Sequence, residues 1–213
     1  MKRIDVAAFV DWQSQIINSK AISAAIPSRV AEKAVGFVAN AIADVLDGID
    51  DRAIFFVGIK IYHGWHRGLT PTDNLRVLQR MVIDRDLPTR VGRTSFNWQQ
   101  PFGNILSSCS THRLHPGLRV HLPNTLRADL QDSSRTREKM VDTALTCDVL
   151  ASARSNPADI RLILGEDDDL VPAAFTADNW SKERGGRTII VRRREASEFL
   201  NMVGLYRQMG APV

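Results

Sequence analysis

Apolar positions change their period several times along the chain, and each change marks an element. Residues 4–10 form an apolar run broken only by Asp5 and ended by Asp11, the pattern of a short buried strand. After Pro27, with Ser28 placed to cap it, Val30, Ala34, Phe37, Val38, Ala41, Ile42 and Val45 recur at helical spacing until Gly48. Residues 52–62 are rich in β-branched and aromatic side chains and predict a strand. A helix is predicted over 72–86, with Leu75, Leu78, Met81 and Val82 as its buried stripe. From 87 to 132 proline and glycine leave only short β-like pieces, such as 90–96 and 118–122. Further on, the pattern predicts a helix over 136–154, a strand over 160–164 and a helix over 170–184. Gly185-Gly186 turns the chain into a strand over 188–191, and a last helix is expected to start near Ala196 or Ser197.

Strands alternating with helices predict an α/β protein with a mainly parallel central sheet, Rossmann-like, covered by helices on both faces. The length, 213 residues, and a 44% hydrophobic content suit one globular domain spanning 1–213. In that arrangement Asp11 and the turn after Leu164 approach each other at the carboxyl edge of the sheet, where such sheets place their ligands. That turn, Gly165-Glu166-Asp167-Asp168-Asp169, holds four consecutive carboxylates. So much negative charge in one turn is unfavourable unless something positive faces it. A hard divalent cation, Mg²⁺ or Mn²⁺, suits oxygen donors of this kind.

Charge distribution adds to this picture. Residues 60–139 hold 13 Lys and Arg against 6 Asp and Glu, while the flanking segments are slightly acidic. An acidic site framed by a basic segment fits a polyanionic substrate, although an arginine-rich solvated surface has the same count. No apolar run approaches a membrane span, so no membrane partner is expected. Two cysteines give no disulfide framework, and a reducing cytoplasm is the expected location. The spacing of Cys109, His112, His115 and His121 is a poor match to paired structural zinc ligands.

Three pieces occur in order: Phe9-Val10-Asp11, Lys139-Met140-Val141-Asp142, and Gly165-Glu166-Asp167-Asp168-Asp169-Leu170-Val171-Pro172. Together they resemble the NYN domains, PIN-like metal-dependent ribonucleases with the patterns F-[IV]-D-x-x-N, K-x-V-D and S-G-D-x-D-F-x-P. The resemblance covers roughly 4–194 and leaves 87–132 unmatched. It implies a PIN/NYN fold and an endoribonuclease hydrolysing RNA phosphodiester bonds. Asp11, Asp142, Asp167 and Asp169 would be the catalytic, metal-holding residues, with Mg²⁺ or Mn²⁺ as cofactor. Two departures stand out: Ser14 replaces the asparagine of the first pattern, and Gly165-Glu166 replaces Ser-Gly in the third. They favour the alternative of a catalytically weak module that binds RNA or protein. A small-nucleotide phosphohydrolase is a further alternative, which the basic excess in 60–139 disfavours.

Structural roles are open to the same residues. Asp169 is placed to cap a helix beginning at Leu170, and Asp142 is a first-turn helix acid. Asp148 falls on the stripe with Ala144 and Leu145, where an arginine partner is expected. For the substrate, Ser14, His63, Trp65, His66, Arg67 and Arg93 are the candidate contacts, since aromatic, imidazole and guanidinium groups stack bases and neutralise phosphates. Arg90, Trp98, Arg113 and Arg119 extend the theme, and Arg192-Arg193-Arg194 forms a charge run that either guides nucleic acid or is solvated. The apolar excess over 199–213 is expected to bury against the sheet or against a second copy in a homodimer.

Overall fold

The computed structural model describes residues 2–21, 26–68, 70–98, 125–129, 135–157, 159–193 and 206–209. Expectations for 118–122, for the helix near Ala196, for the Cys109–His121 spacing and for Arg113, Arg119 and Arg194 lie outside them. The first half of the chain runs β1 (Arg3–Asp11), α1 (Trp12–Asn18), α2 (Pro27–Asp47), β2 (Ile54–Tyr62), β3 (His66–Arg67), β4 (Thr70–Pro71) and α3 (Asp73–Asp84). The second runs β5 (Arg90–Val91), β6 (Thr94–Asn97), β7 (Leu126–Ala128), β8 (Thr136–Glu138), α4 (Val141–Ser155), β9 (Ile160–Leu164), α5 (Val171–Lys182), β10 (Arg187–Arg192) and β11 (Tyr206–Gln208).

Seven strands form one sheet in the order β11-β10-β9-β1-β2-β6-β5. All neighbours pair in parallel except β5 and β6, so six parallel strands carry one antiparallel edge. The order is that of a doubly wound, Rossmann-like sheet, as the alternation of strands and helices predicts. From β1 the chain moves outward through β2 to β6, then returns to build β9, β10 and β11 on the other side of β1. Right-handed crossovers taken in opposite directions put their helices on opposite faces. Accordingly α1, α2 and α3 pack together, while α4 and α5 pack on each other and on β1 and β10. The central strands carry the core: Ala8, Val10, Phe55, Leu162, Ile163, Leu164, Ile189 and Ile190 are fully buried.

Two differences from the predicted elements have clear causes. Residues 136–138 are a strand paired with β7, and the helix begins only at Val141 after Met140 adopts a left-handed conformation. The charged run Arg135-Thr136-Arg137-Glu138-Lys139 has helical composition, and antiparallel pairing with the preceding strand β7 overrides it. Helix α1 went unpredicted because its buried face is largely polar: Ser14, Gln15 and Asn18 are buried with Trp12 and Ile16. The Gln15 side-chain amide donates to the Leu164 carbonyl at 3.2 Å and ties this short helix to β9.

Buried polar residues then lock the layers. Arg161, fully buried in β9, donates to the Ser152 and Asn156 carbonyls at the end of α4 and to Ser181 Oγ of α5. It satisfies the last carbonyls of one helix while holding the next. Gly186 has no room for a side chain, because a Cβ there would run into the Pro157 carbonyl. Asp148 is buried on α4, where the sequence predicts an arginine partner, and it accepts the Tyr62 hydroxyl at 2.6 Å. Burial and then the neighbouring carboxylate push the Tyr62 phenol far above its ordinary range, so it stays a donor. Tyr62→Phe leaves a buried carboxylate without that donor. It is expected to lower stability by about 1–3 kcal/mol, measured by urea unfolding, with α4 remaining in place.

Candidate functional site

The switch point of the sheet lies between β1, which ends in Asp11, and β9, which leads through Gly165 into the acidic turn. Val10 pairs with Leu164, so Asp11 and Gly165 stand side by side at the carboxyl edge. Gly165 allows this approach: a Cβ there would press on Leu170 and lie 3.4 Å from the Asp11 Cβ. From α4, lying over β1, Asp142 in the first turn joins them. These pieces enclose an open cleft of about 430 Å³ lined by Asp11, Gln13, Ser14, Glu138, Asp142, Glu166, Asp167 and Asp168. Three of the four predicted site acids therefore meet in one cleft. Asp169, exposed on the turn beside it, contributes through its field, which acts on Asp142.

The acidic turn is partly neutralised by the protein itself. Arg192, only 2% exposed, places one guanidinium nitrogen 2.8 Å from Asp168 Oδ1 and the other 2.5 Å from the Asp167 carbonyl oxygen. Within the predicted charge run Arg192 is thus a buried clamp, while Arg193 donates to the Asn18 carbonyl at 3.1 Å. Glu166 Oε1 accepts from the Asn18 side chain and from the Arg193 backbone N–H, both at 2.8 Å. Glu166 and Asp168 hold the turn in place. Asp167, not Asp169, provides the cap: its Oδ1 accepts from the Asp169 N–H at 3.0 Å, and the regular helix starts only at Val171.

The remaining carboxylates face one another. Asp11 caps α1 through the Gln13 N–H at 3.2 Å, and the Ser14 hydroxyl donates to its other oxygen. Burial raises the Asp11 carboxyl above its ordinary range; the Ser14 bond works against this, and Glu138 adds to it. Asp142 makes no hydrogen bond or ion pair with any described residue. Its carboxyl is pushed from 3.8 up to about 6, first by desolvation and then by Asp11, Asp167, Glu138 and Asp169.

Glu138 is a cleft residue that sequence reading overlooked, because the pattern predicts a helix over 136–154 where residues 136–138 form a strand. On strand β8 it reaches the cleft, with Oε1 accepting the Gly64 N–H at 2.6 Å and lying 2.5 Å from His63 Nδ1. Burial alone would raise this carboxyl, but the His63 and Gly64 contacts outweigh it and hold it low. His63 Nε2 in turn lies 2.8 Å from the Asn74 side-chain amide, and its ring meets Trp65 edge-on. Of the predicted substrate contacts, His63 and Trp65 are buried and support Glu138 from behind. His66 and Arg67 lie on the β3–β4 ribbon, Arg67 exposed, and Ser14 serves Asp11. Arg93 precedes Thr94, which pairs with Phe55 near the opposite end of β2, and is held by Asp47 at 2.7 Å. It is thus removed from the site by about seven strand residues, roughly 23 Å. Trp98 is buried too, with its indole N–H on the Pro88 carbonyl at 2.7 Å.

The donor set is all oxygen, carries more negative charge than the nearby arginine neutralises, and suits a hard divalent cation in its chemistry. Among the described residues, no group of three or more His, Cys, Asp or Glu is gathered closely enough to hold a metal ion as the side chains stand. Closing on a cation therefore requires side-chain rotation. Comparison with models of known families, with curated proteins and with solved structures gave no match.

A carboxyl raised in the folded state binds its proton more tightly there than in the unfolded chain. Its contribution to stability is present below pH 3.8 and is lost as pH rises to about 6. Above that window Asp142 strains the free protein. Asp142→Asn is expected to raise the melting temperature at pH 7.5 by about 2–4 °C, on the order of 1 kcal/mol after solvent screening. The gain should vanish below pH 4 in melting curves taken across the pH range.

Proposed function

We propose that the protein is a metal-dependent endoribonuclease of the NYN/PIN-like type. The observation that carries the reading is Asp142: a carboxylate without a side-chain partner among the described residues, set among Asp11, Asp167, Glu138 and Asp169 at the switch point of a parallel sheet. A protein keeps such a group against its own stability when the group serves a function. Asp11, Asp142, Asp167 and Asp169 would hold Mg²⁺ or Mn²⁺, directly or through water. The bound ion would supply positive charge for the phosphodiester oxygens and an acidified water. The chain's own residues prepare the site. Ser14 and the Gln13 N–H fix the Asp11 carboxylate, the Arg192 clamp fixes the Asp167 backbone, and His63 fixes Glu138. The order β6-β2-β1-β9-β10 and the carboxyl-edge position of the acids agree with the fold that the motif resemblance implies.

A catalytically weak module binding RNA on the same scaffold is the second reading. Ser14 favours it: its hydroxyl is committed to Asp11, and a serine reaches less far into the cleft than the asparagine of the motif.

Labelled single-stranded RNA incubated with and without Mn²⁺ or Mg²⁺ tests the first reading against the second. Cleavage should require the ion and fall at least a hundredfold in Asp11→Asn and in Asp142→Asn, since loss of groups that merely support a metal already costs about 10–100-fold. Asp142→Asn is informative because it is expected to fold more stably than the wild type. RNA that stays intact yet is retained in a gel shift by the wild type would replace the nuclease with the binding module.

A further inference from the structure

A second hollow lies on the α4 face of the sheet and shares no residue with the acidic cleft. It holds about 500 Å³, within the usual range for small-molecule sites. The residues that open it are small. Ala7 of β1 pairs with Gly58 of β2, and Gly58 with Asn97 of β6, so the three form one row across the sheet. Ala151 lines the hollow from α4. A Cβ on Gly58 would come no closer than 4.0 Å to its nearest neighbour, the Val6 carbonyl oxygen. The backbone has room for a side chain there, and the sequence supplies none.

Lys60 and Asp159 both line the hollow, and neither side chain makes a hydrogen bond or ion pair with any described residue. Lys60 is level with Phe9, while Asp159, one residue before Ile160, is level with Asp5 two strands away. Four residues along and two strands across put their Cα atoms roughly 16 Å apart, too far for a direct ion pair. Burial lowers the Lys60 ammonium against the pull of Asp148. Burial likewise raises the Asp159 carboxyl against the pull of Arg161, and Asp5 adds to the rise. Asp148 lines the same hollow and accepts the Tyr62 hydroxyl through one oxygen, and a carboxylate has room for further donors.

Two opposite charges that cannot reach each other suit a ligand that spans both, with an acceptor at the Lys60 end and donors at the Asp159 end. One ammonium against two carboxylates is a poor seat for a phosphate or a free carboxylate. An uncharged ligand fits better: a base carbonyl on Lys60, the neighbouring ring N–H on Asp148, and ribose hydroxyls on Asp159. Lysine donates well to base carbonyls, and an acid accepts ribose hydroxyls in dinucleotide sites. A base with an amino group in place of that carbonyl would present a donor to the ammonium. We propose that this hollow binds a ribonucleoside whose base carries a carbonyl next to a ring N–H, as uracil and guanine do, through Lys60, Asp148 and Asp159. The site does not depend on the nuclease reading, and the nucleoside comes either free or as a unit of an RNA chain.

Calorimetric titration of the full chain in EDTA with uridine, inosine, adenosine and cytidine tests the proposal; inosine presents the same carbonyl and N–H as guanosine. Uridine and inosine should bind, with adenosine and cytidine weaker by about tenfold or more. Lys60→Met keeps the aliphatic stem and should weaken uridine about tenfold, the loss of one hydrogen bond from a charged group. Deoxyuridine should bind the wild type about tenfold more weakly than uridine, and Asp159→Ala should erase that difference. Gly58→Val fills the hollow with a residue that suits a strand, so it should keep the melting temperature of the wild type and bind no nucleoside. A wild type that binds none of the four at millimolar concentration overturns the proposal. So does a Gly58→Val variant that binds like the wild type, or equal affinity for amino and carbonyl bases. The dinucleoside phosphate of uridine decides the source. Binding at least as tight as that of uridine assigns the hollow to a unit of an RNA chain, and weaker binding assigns it to the free nucleoside.

Discussion

Repulsion among carboxylates gathered between β1 and β9 is the constraint around which this molecule is organised. The sheet topology makes it unavoidable: the two strands are neighbours and run parallel, β1 ends in Asp11, and β9 runs through Gly165 into the acidic turn. The fold does not remove the repulsion; it divides it. Arg192 enters from the buried end of β10 and binds Asp168 and the Asp167 carbonyl, so the outer part of the turn becomes rigid. Glu166 is absorbed by Asn18 and by the backbone of Arg193. Among the described residues, what is left without a side-chain partner is Asp142, which faces Asp11, Asp167, Glu138 and Asp169. Rigid backbone with uncompensated side-chain charge is the arrangement expected of a preorganised site for a cation or for a group that a cation carries.

Burial of charged and polar residues elsewhere follows the same logic. Arg161 and Arg192 are both fully enclosed in neighbouring strands, yet neither meets its partners as a simple ion pair. The terminal nitrogens of Arg161 donate to carbonyls and a hydroxyl, and those of Arg192 to one carbonyl and an exposed carboxylate. Such buried guanidinium groups add little net stability compared with apolar residues, but removing their partners is costly. Their value here is positional: each fixes a helix or turn end at an edge of the sheet. The Tyr62–Asp148 bond adds one more buried polar tie between β2 and α4.

The legibility of the sequence follows from this division. Strands β1, β2, β9 and β10 and helices α2, α3 and α5 are legible because their apolar periods are strong. The convergence of Asp11 with the acidic turn followed from topology alone. Residues whose roles depend on distant partners were not legible. Nothing local distinguishes Arg192 from its solvated neighbours in a run of arginines, and only β10 pairing beside β9 buries it. His63 and Trp65 read as a substrate loop because aromatic and imidazole groups follow a strand, while their burial depends on the ribbons that cover them. Arg93 failed for a different reason. Sequence reading gave it a sign of charge but no position along β6, and the parallel pairing with β2 carries it to the wrong edge.

The β7–β8 ribbon explains how the middle of the chain contributes to the acidic cleft. A helix over 136–154 would have spread Arg135, Arg137, Glu138 and Lys139 around a cylinder at about 100° per residue. As a strand, the same residues separate onto two faces by parity, with Glu138 on one and the cations on the other. Two-residue alternation thus puts Glu138 and its neighbour Arg137 on opposite faces of one strand. The glycine at 64 completes it, since any side chain there would push Glu138 and Leu126 away and break the register between cleft and ribbon. A local helix-to-strand choice at 136–138 therefore decides whether a sixth carboxylate reaches the acidic cleft at all.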